Sequence, residues 1–559
     1  MNDDAPWIEQ YPPGVTATVD VNRYASVPAL MEESFALHES ACAYLGMGTK
    51  LSFGELGRLS RDLGAWLQTQ GLQRGDRVAL MMPNVLAYPV ATAAVLRAGF
   101  VVVNVNPLYT PRELEHQLRD SGSCAIVILE NFAATLQQVI DRVPVKLVVV
   151  ATMGDLQPLW KRTLVNHVVR RDKKLVPPWK LPGFIPFSRA LREGRQAALL
   201  PVDLGPSDLA VLQYTGGTTG VSKGAMLLHG TIIANLLTSE AWMQPGLKRR
   251  NITGQLTIVC ALPLYHVFAF ITCGLLGLRT GACNLLIANP RDLTKTIETL
   301  KPHRLHIFPG VNTLFNGLLQ QPTFRTLYFS ELVITNGGGT AVQEVVASRW
   351  LQATGCPIVE GYGLTETCSG VTCNPTDMVA FTGTVGLPLP NVAIRLIDEQ
   401  GRSVPTGAAG EIAIKGPQVM AGYWQRPDET AQAMTHDGYL KTGDIGTMDE
   451  RGFIRIVDRK KDMILVSGFN VFPTEIEGVV SSHPGVLECA AVGVPDEKTG
   501  EAVKLFVVRK DPALAERQLA AFCAEQLTAY KRPKVIVFKD ELPKSNVGKI
   551  LRRELRERA

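Results

Sequence analysis

The sequence predicts an α/β fold, in which a large N-terminal domain of layered α/β sheets plus a small β-barrel-like part precedes a small, mobile α+β C-terminal domain. The chain has 559 residues, too many for a single hydrophobic core. Its N-terminal part alternates amphipathic helices with short apolar strands, a pattern typical of a mostly parallel sheet. A charged segment at 458–462 separates this region from a shorter α+β pattern, so we predict domains at 1–458 and 459–559.

The elements before residue 200 follow one another as helix–strand pairs. Leu59, Leu63 and Leu67 recur at helical spacing and predict the first long helix. Further apolar runs predict, in chain order, a strand at 77–81, a helix at 87–98, and strands at 99–103 and 145–151. Strands joined through helices predict a parallel sheet with helices on its faces.

A stretch at 256–278 contains 23 residues without Lys, Arg, Asp or Glu, which is long enough to cross a bilayer. Pro263, Tyr265 and His266 divide it into a β-branched run and a second apolar run. We therefore predict a buried strand followed by a buried helix. The alternative is a membrane-spanning binding or uptake protein.

The segment at 212–226, with the sequence LQYTGGTTGVSKGAM, predicts a phosphate-binding loop after a strand. Glycines allow successive backbone N–H groups to point inward, and hydroxyl groups and a lysine add donors and positive charge. The loop residues of this kind are Thr215, Gly216, Gly217, Thr218, Thr219, Gly220 and Lys223. Because Lys223 does not stand at the Walker A position, the pattern predicts a nucleotide polyphosphate site of another type.

Two later strands also end in glycines, which expose backbone at the carboxyl edge of a sheet. The strand at 331–335 leads into Gly337, Gly338 and Gly339, where a flat adenine ring can lie against the chain. The run at 357–367 places Tyr362 between glycines, in a position suited to stacking on a base. Glu366 follows, and its carboxylate suits Mg²⁺ shared with phosphates.

The pattern of the sequence changes in the C-terminal part. Short strands are predicted at 392–396 and 410–415. Beyond the charged segment, the pattern predicts helices at 475–482 and 514–526 and strands at 488–494, 503–508 and 535–538.

Composition limits the partners and the compartment. The net charge of +5 arises from 57 basic and 52 acidic residues, too mild a balance to indicate a nucleic acid partner. The ten cysteines contain no CxxC pair, which favours reduced thiols. The N-terminal sequence MNDDAPWIEQ lacks signal-peptide features, so we expect a cytoplasmic protein.

A basic stretch lies between Trp160 and Trp179, with six Lys or Arg residues against the single acid Asp172. Trp160, Leu164 and Val168 recur at helical spacing. This pattern predicts an amphipathic helix that makes peripheral contact with the cytoplasmic membrane. A solvated helix packed on its own protein is the alternative.

Five motifs now stand in order: YTGGTTGVSKG at 214–224, LPLYH at 262–266, GYGLTE at 361–366, TGD at 442–444 and PKSNVGK at 543–549. With them the chain resembles the adenylate-forming superfamily of acyl-CoA synthetases, luciferases and adenylation domains. It is most similar to bacterial long-chain fatty-acid-CoA ligases. The resemblance implies ATP-dependent activation of a long-chain fatty acid through acyl-AMP, followed by transfer to coenzyme A with release of AMP and pyrophosphate.

The resemblance also implies residue roles. Lys549, His266 and Glu366 would be catalytic, and Thr215 with Glu366 would hold Mg²⁺. The ATP site would comprise Thr215, Gly216, Gly217, Thr218, Thr219, Gly220, Lys223, Gly337, Gly338, Gly339, Gly361, Tyr362, Thr365, Asp444 and Arg459. Phe270 would gate the acyl tunnel, Gly468 would lie on the coenzyme A side, and Asp458 would be the hinge about which the small domain rotates.

Two alternatives remain open at this point. The protein could instead load the acyl group from acyl-AMP onto a carrier protein, although no carrier-like domain follows Lys549 in the sequence, so free coenzyme A is the expected thiol. The sequence also leaves a homodimer open.

Overall fold

The computed structural model describes residues 5–215, 222–250, 252–467, 469–545 and 548–557. The strands are β1 Cys42–Gly46, β2 Thr49–Ser52, β3 Arg77–Met81, β4 Val101–Asn104, β5 Ala125–Leu129, β6 Leu147–Ala151, β7 Ile185–Pro186, β8 Leu209–Tyr214, β9 Gly224–Leu228, β10 Thr257–Cys260, β11 Cys283–Leu286, β12 Ile307–Gly310, β13 Ile334–Gly337, β14 Ile358–Leu364, β15 Ser369–Cys373, β16 Leu387–Pro388, β17 Ala393–Ile397, β18 Gly410–Lys415, β19 Leu440–Met448, β20 Ile454–Arg459, β21 Ile464–Val466, β22 Phe469–Val471, β23 Val486–Asp496, β24 Gly500–Arg509 and β25 Val535–Lys539.

The α-helices are α1 Val27–Leu37, α2 Phe53–Gln68, α3 Ala87–Arg97, α4 Pro111–Ser121, α5 Ala133–Gln137, α6 Leu159–His167, α7 Phe187–Gly194, α8 His229–Leu247, α9 Val267–Ala269, α10 Leu276–Arg279, α11 Leu293–Leu300, α12 Asn312–Leu319, α13 Glu344–Thr354, α14 Pro427–Ala433, α15 Pro473–Ser481, α16 Glu516–Gln526 and α17 Arg552–Glu557. Local sequence explains where several begin. Ser52 and Glu55 form a reciprocal capping box at the start of α2, and Thr110 and Glu113 form another at α4.

Two large sheets organise the N-terminal part. A seven-stranded sheet has the order β7-β6-β5-β3-β4-β8-β9 and is parallel except for β9, which runs antiparallel to β8. A nine-stranded sheet has the order β16-β15-β14-β13-β12-β10-β11-β1-β2, with a parallel centre. Helices α1, α2 and α3 share one hydrophobic core with both sheets, through residues such as Leu63, Val78 and Ile258. This layered arrangement is the predicted α/β class.

Two smaller sheets follow. The predicted β-barrel-like part takes the form of a four-stranded antiparallel sheet, β17-β18-β19-β20, which a bridge between Gly386 and Ile454 links to the rest. The C-terminal part is a five-stranded sheet in which β25 pairs in parallel with β24. Helices α15 and α16 share a core with that sheet, and Leu555 of α17 belongs to a second cluster with Phe506.

The apolar stretch at 256–278 is a strand followed by a helix, as predicted. Strand β10 lies inside the nine-stranded sheet, and α9 and α10 are joined by a π-helical turn, Phe270–Leu275. Ile258 and Ile271 are fully buried in the protein core. Among the residues that the structure describes, no helix combines the length and the apolar character needed to cross a membrane.

The basic stretch forms a helix over the residues whose spacing predicted one. Helix α6 continues only through a π-helical turn, Val168–Asp172. Pro177 and Pro178 follow, and proline cannot continue a helix. Trp179 packs on the protein, with its ring centroid 4.9 Å from that of Phe184, so only one of the two tryptophans belongs to an exposed surface.

Candidate active site

A cavity of about 1980 Å³ lies at the carboxyl edge of the nine-stranded sheet, between the large sheets and the C-terminal part. Open α/β sheets place ligand sites at such an edge. Most of the predicted and described site residues line it, namely Thr215, Lys223, His266, Gly338, Gly339, Gly361, Tyr362, Thr365, Glu366, Asp444, Asp458, Arg459 and Lys549. Gly337 ends strand β13 directly beside this group.

The two ends of the predicted phosphate loop are held together. The Thr215 backbone N–H donates to the Lys223 carbonyl at 2.9 Å, and the Ser222 hydroxyl donates to the Thr215 carbonyl at 2.6 Å. These bonds close the loop where the antiparallel strands β8 and β9 diverge. Gly216, Gly217, Thr218, Thr219 and Gly220 lie outside the described residues.

A segment at 420–426 braces this loop from the side. It runs beside β9, where the Trp424 N–H donates to the Gly224 carbonyl at 2.8 Å. At its start, the Met420 N–H donates to the Glu366 carbonyl at 2.7 Å. The Tyr423 hydroxyl donates to Glu366 Oε1 at 2.7 Å and so orients the carboxylate. No local sequence pattern predicts this brace, because its residues lie far along the chain from the loop.

Oxygen donors are available for a magnesium ion. Thr215 contributes a hydroxyl and Glu366 a carboxylate to the same cavity. Tyr423 holds one of the Glu366 oxygens. A small set of oxygen ligands suits Mg²⁺, which commonly binds one or two carboxylates together with substrate phosphates. The residue types present therefore fit the predicted ion.

The part of the cavity that is predicted to bind the nucleoside is bordered by glycines and by polar side chains. A methyl group at Gly337 would lie 2.8 Å from Ile358, too close without a shift of that neighbour, so this position favours glycine. One at Gly338 would lie 3.2 Å from the Phe268 ring, which is a tight contact. The Tyr362 hydroxyl donates to Asp444 Oδ2 at 2.6 Å. Arg459 pairs with the other Asp444 oxygen at 3.0 Å.

His266 and Lys549 come from distant parts of the chain and meet in this cavity. Burial, and secondarily the positive charge of Lys549, lower the pKa of His266 to about 4, so the imidazole is neutral at neutral pH. The Phe268 N–H approaches His266 Nδ1 at 3.5 Å, which leaves Nε2 as the protonated nitrogen. Burial lowers the pKa of Lys549 to about 8, and the charge of Arg459 adds to this while Asp444 opposes it.

Hydrogen bonds fix the Lys549 segment against the large sheets. The Thr313 hydroxyl donates to the Gly548 carbonyl at 3.2 Å. Nearby, Gln343 Nε2 donates to the Ser481 hydroxyl at 2.7 Å. Within the segment, the Lys549 N–H donates to the Ser545 hydroxyl at 3.1 Å.

An apolar arm of the cavity extends away from His266. It passes between helix α8, strand β10 and the helix at 267–279, and its walls include Trp242, Met243, Ile258, Phe268, Thr272 and Leu276. Phe270, the predicted gate, is buried in the core, whereas Phe268 and Thr272 face the arm. The π-helical turn at this point changes which side chains share a face.

The last two predicted residues are the hinge candidate Asp458, which also lines the cavity, and Gly468. Asp458 is buried near the start of the C-terminal part and accepts hydrogen bonds from the Arg459 and Thr474 N–H groups. Gly468 lies outside the described residues.

Sequence reasoning missed Glu360, a buried carboxylate that also lines the cavity. Its Oε1 accepts from the Val342 N–H at 2.8 Å, and burial raises its pKa to about 7. A glutamate inside an apolar strand was a visible signal, because such a side chain is rarely buried without a partner.

Comparison with known proteins gives the following likenesses. The profile of the AMP-binding enzyme family matches residues 31–424, and that of the AMP-binding enzyme C-terminal domain matches 475–549. The long-chain-fatty-acid–CoA ligase of Escherichia coli O6:H1 is 53% identical over 554 residues, covering 99% of this chain and 98% of that protein. The long-chain-fatty-acid–CoA ligase of Bacillus subtilis strain 168 is 35% identical over 560 residues, covering 100% and 98%.

Solved structures share the fold. ATP-bound MatB from Rhodopseudomonas palustris has a TM-score of 0.78 at 29% identity and is covered to 99%, with 95% of this chain matched. The anthranilate CoA ligase AuaEII with anthranoyl-AMP has a TM-score of 0.83 at 23% identity, covering 96% of this chain and 97% of that one.

The electrostatics predict that Lys549 titrates well below the ordinary pKa of a lysine. The Lys549 ammonium should lose its proton as the pH rises through about 8. Substituting Arg459→Gln removes a neighbouring positive charge and should raise this pKa, whereas Asp444→Asn removes the opposing carboxylate and should lower it. NMR of isotopically methylated lysines would follow the titration, with Lys549→Arg identifying the signal.

As a control, Arg451→Gln changes an exposed arginine and should leave the signal in place. Titration of every lysine near its ordinary value of 10.5 would contradict the prediction.

Proposed function

The chain belongs to the family of AMP-binding enzymes, and from this premise we propose that it activates long-chain fatty acids to their coenzyme A thioesters through an acyl-adenylate. It is a long-chain-fatty-acid–CoA ligase of the AMP-forming type. The observation that carries the assignment is one cavity that joins a polar end, containing Lys223 and Lys549, to an apolar arm at His266. A nucleotide fits the first and an acyl chain the second.

In the first half-reaction, a carboxylate oxygen of the fatty acid attacks the α-phosphorus of ATP, and the bond to pyrophosphate breaks. Negative charge spreads over the phosphoryl oxygens as the bonds change. We assign to Lys549 the stabilisation of that charge, because its ammonium is charged below pH 8 and faces the cavity. Neutral His266, which carries its proton on Nε2, is assigned a hydrogen bond to the reacting carboxylate.

The phosphates of ATP are assigned to Lys223 and the loop after Thr215, and the α-phosphate to Thr365. The same proposal places adenine against Gly338 and Gly361, and ribose at Asp444. Gly338 and Gly361 line the cavity together with Tyr362, which supports this placement. Bound Mg²⁺ at Thr215 and Glu366 would neutralise phosphate charge.

In the second half-reaction, the thiol of coenzyme A loses its proton and attacks the acyl carbonyl, and AMP leaves. We propose that residues 459–559 rotate about Asp458 between the two steps, which withdraws Lys549 and brings Gly468 to the thiol path. The proposed boundary lies in the last two residues of β20, where Arg459 still pairs with Asp444 of β19, and precedes the sheet that contains β21.

We further propose peripheral contact with an anionic membrane through α6. Leu159, Trp160 and Leu164 are 80%, 70% and 54% exposed, an unusual concentration of large apolar side chains. Arg171, Lys173 and Lys174 are exposed next to them. Apolar side chains that insert at the headgroup boundary, with cations beside them, bind anionic lipid surfaces. Arg170 does not contribute in this way, because it pairs with buried Glu130 at 2.8 Å.

The ligase assignment predicts a preference for long acyl chains that depends on the apolar arm. Pyrophosphate and AMP release should be fastest with long-chain carboxylic acids, and AMP release should require free coenzyme A. Substituting Met243→Trp fills the arm and should shift the preference to shorter acids while their adenylation continues. AMP release that depends on a carrier protein thiol in place of coenzyme A would support the carrier-loading alternative.

The two-step proposal predicts separable half-reactions. Lys549→Ala should slow adenylation by about 10²- to 10³-fold, the scale for removing one preorganised electrostatic partner. The variant should still convert synthetic acyl-AMP and coenzyme A to product, measured as thioester formation. Lys510→Ala removes an exposed lysine of the same domain and should change neither step. Equal loss of both half-reactions would contradict the alternation.

The membrane proposal predicts that exposed side chains of α6 control lipid binding. Trp160→Ser with Leu164→Ser should weaken binding to phosphatidylglycerol vesicles by at least about tenfold, since each buried large apolar side chain contributes about 1.5–3 kcal/mol. Co-sedimentation with vesicles would measure it. Leu200→Ser, at another exposed leucine, should have no effect. Unchanged binding in the double variant would refute the proposed surface.

A further inference from the structure

Lys223 already has an anionic partner within the protein. Its Nζ forms an ion pair with Glu429 Oε2. The same ammonium lies 4.8 Å from the centre of the Tyr423 ring, in a cation–π contact. The two charged side chains are 34% and 38% exposed, so water and incoming anions reach the pair.

Glu429 is placed there by its surroundings. It lies in the first turn of α14, immediately after the segment at 420–426 that braces the loop. Arg426 Nε lies 3.6 Å from Glu429 Oε1, and Arg426 Nη2 is held at 2.6 Å by Asp120. Because Asp120 already neutralises Arg426, Lys223 is the main counter-charge for Glu429.

We propose that Glu429 is an internal competitor for the phosphate site at Lys223. The inference rests on the proposed role of Lys223 in holding the phosphates of ATP. A carboxylate and a phosphate cannot both occupy the same face of one ammonium, since the two anions repel each other. ATP therefore displaces Glu429 from Lys223, and Glu429 returns when pyrophosphate leaves.

The ion pair between Lys223 and Glu429 is weak enough for ATP to displace Glu429, and strong enough for its effect on ATP binding to be measured. Ion pairs that are partly exposed contribute little to stability, and their loss corresponds to a change of about 1.5- to 5-fold in an equilibrium constant. The free enzyme therefore binds ATP a few-fold more weakly than it would with Lys223 unpaired, as for any ligand whose site is only fractionally available. Pyrophosphate is released more readily for the same reason.

The test compares two isosteric substitutions in the same helical turn. Glu429→Gln should lower the KM for ATP and the inhibition constant of pyrophosphate by about 2- to 5-fold, and leave the KM values for fatty acid and coenzyme A unchanged. Asp428→Asn makes the same change of charge one residue earlier, at an exposed position, and should alter neither constant. An equal response of the two variants, or no response of Glu429→Gln, would overturn the proposal.

The same substitution of Glu429, made in the Lys223→Met variant, distinguishes a failure of this inference from a failure of the proposed function. Lys223→Met alone should raise the KM for ATP, and Glu429→Gln added to it should then have no further effect. If Lys223→Met leaves the KM unchanged, the assigned phosphate role of Lys223 is wrong and the competition falls with it. If Lys223→Met raises the KM but Glu429→Gln lowers it equally with and without Lys223, the phosphate role stands. Glu429 then acts by general repulsion, and the competition for Lys223 is refuted.

Discussion

Burial of the Arg552 guanidinium among carboxylates fixes the segment that carries Lys549. Arg552 donates to both oxygens of Glu477, at 3.1 and 2.6 Å, and its Nη1 lies 3.4 Å from Asp462 and 3.7 Å from Asp458. Burial raises the pKa of Glu477 and of Asp458, and the positive charge of Arg552 opposes both rises. Removing one partner from such a group typically costs about 3–5 kcal/mol. Arg552 therefore joins the lysine segment to helix α15 and to the proposed hinge residue Asp458.

Polar contacts also fix the half of the site that lies on the large sheets. Asp120 accepts from the Tyr214 hydroxyl at 2.7 Å and pairs with Arg426, which ties the end of β8 to the bracing segment. By contrast, two of the contacts that join the halves are single side-chain hydrogen bonds, from Thr313 and from Gln343. Each such bond contributes about 0.5–1.5 kcal/mol. The proposed rotation of the C-terminal part would break bonds of only this size at these two points.

The sequence predicted the elements whose pattern is local. Strand β18 lies at its predicted bounds, and the apolar stretch around Pro263 divides into a strand and a helix as its composition indicated. Strand β13 begins at Ile334, later than the predicted 331, because backbone hydrogen bonds from Val333 and Ile334 to His306 set its start. The placement of His266 and Lys549 in one cavity was predicted from motifs alone, since no local pattern joins them. Phe268 faces the apolar arm in place of Phe270 because of a π-helical turn. The spacing of amino acids does not predict such a turn. Tyr423 and Glu429 escaped prediction because their roles arise only from long-range packing.

Because the site is divided between the large sheets and the C-terminal part, its two halves are synthesised at different times. A ribosome releases the large sheets, with their complete cores and the nucleotide-side residues, before it synthesises Lys549, and domains generally fold in that order. Throughout this interval the nascent chain has a formed cavity edge but lacks the cation assigned to drive bond breakage. A newly made enzyme would thus acquire substrate sites first and reactivity last, which protects the half-made chain from consuming ATP.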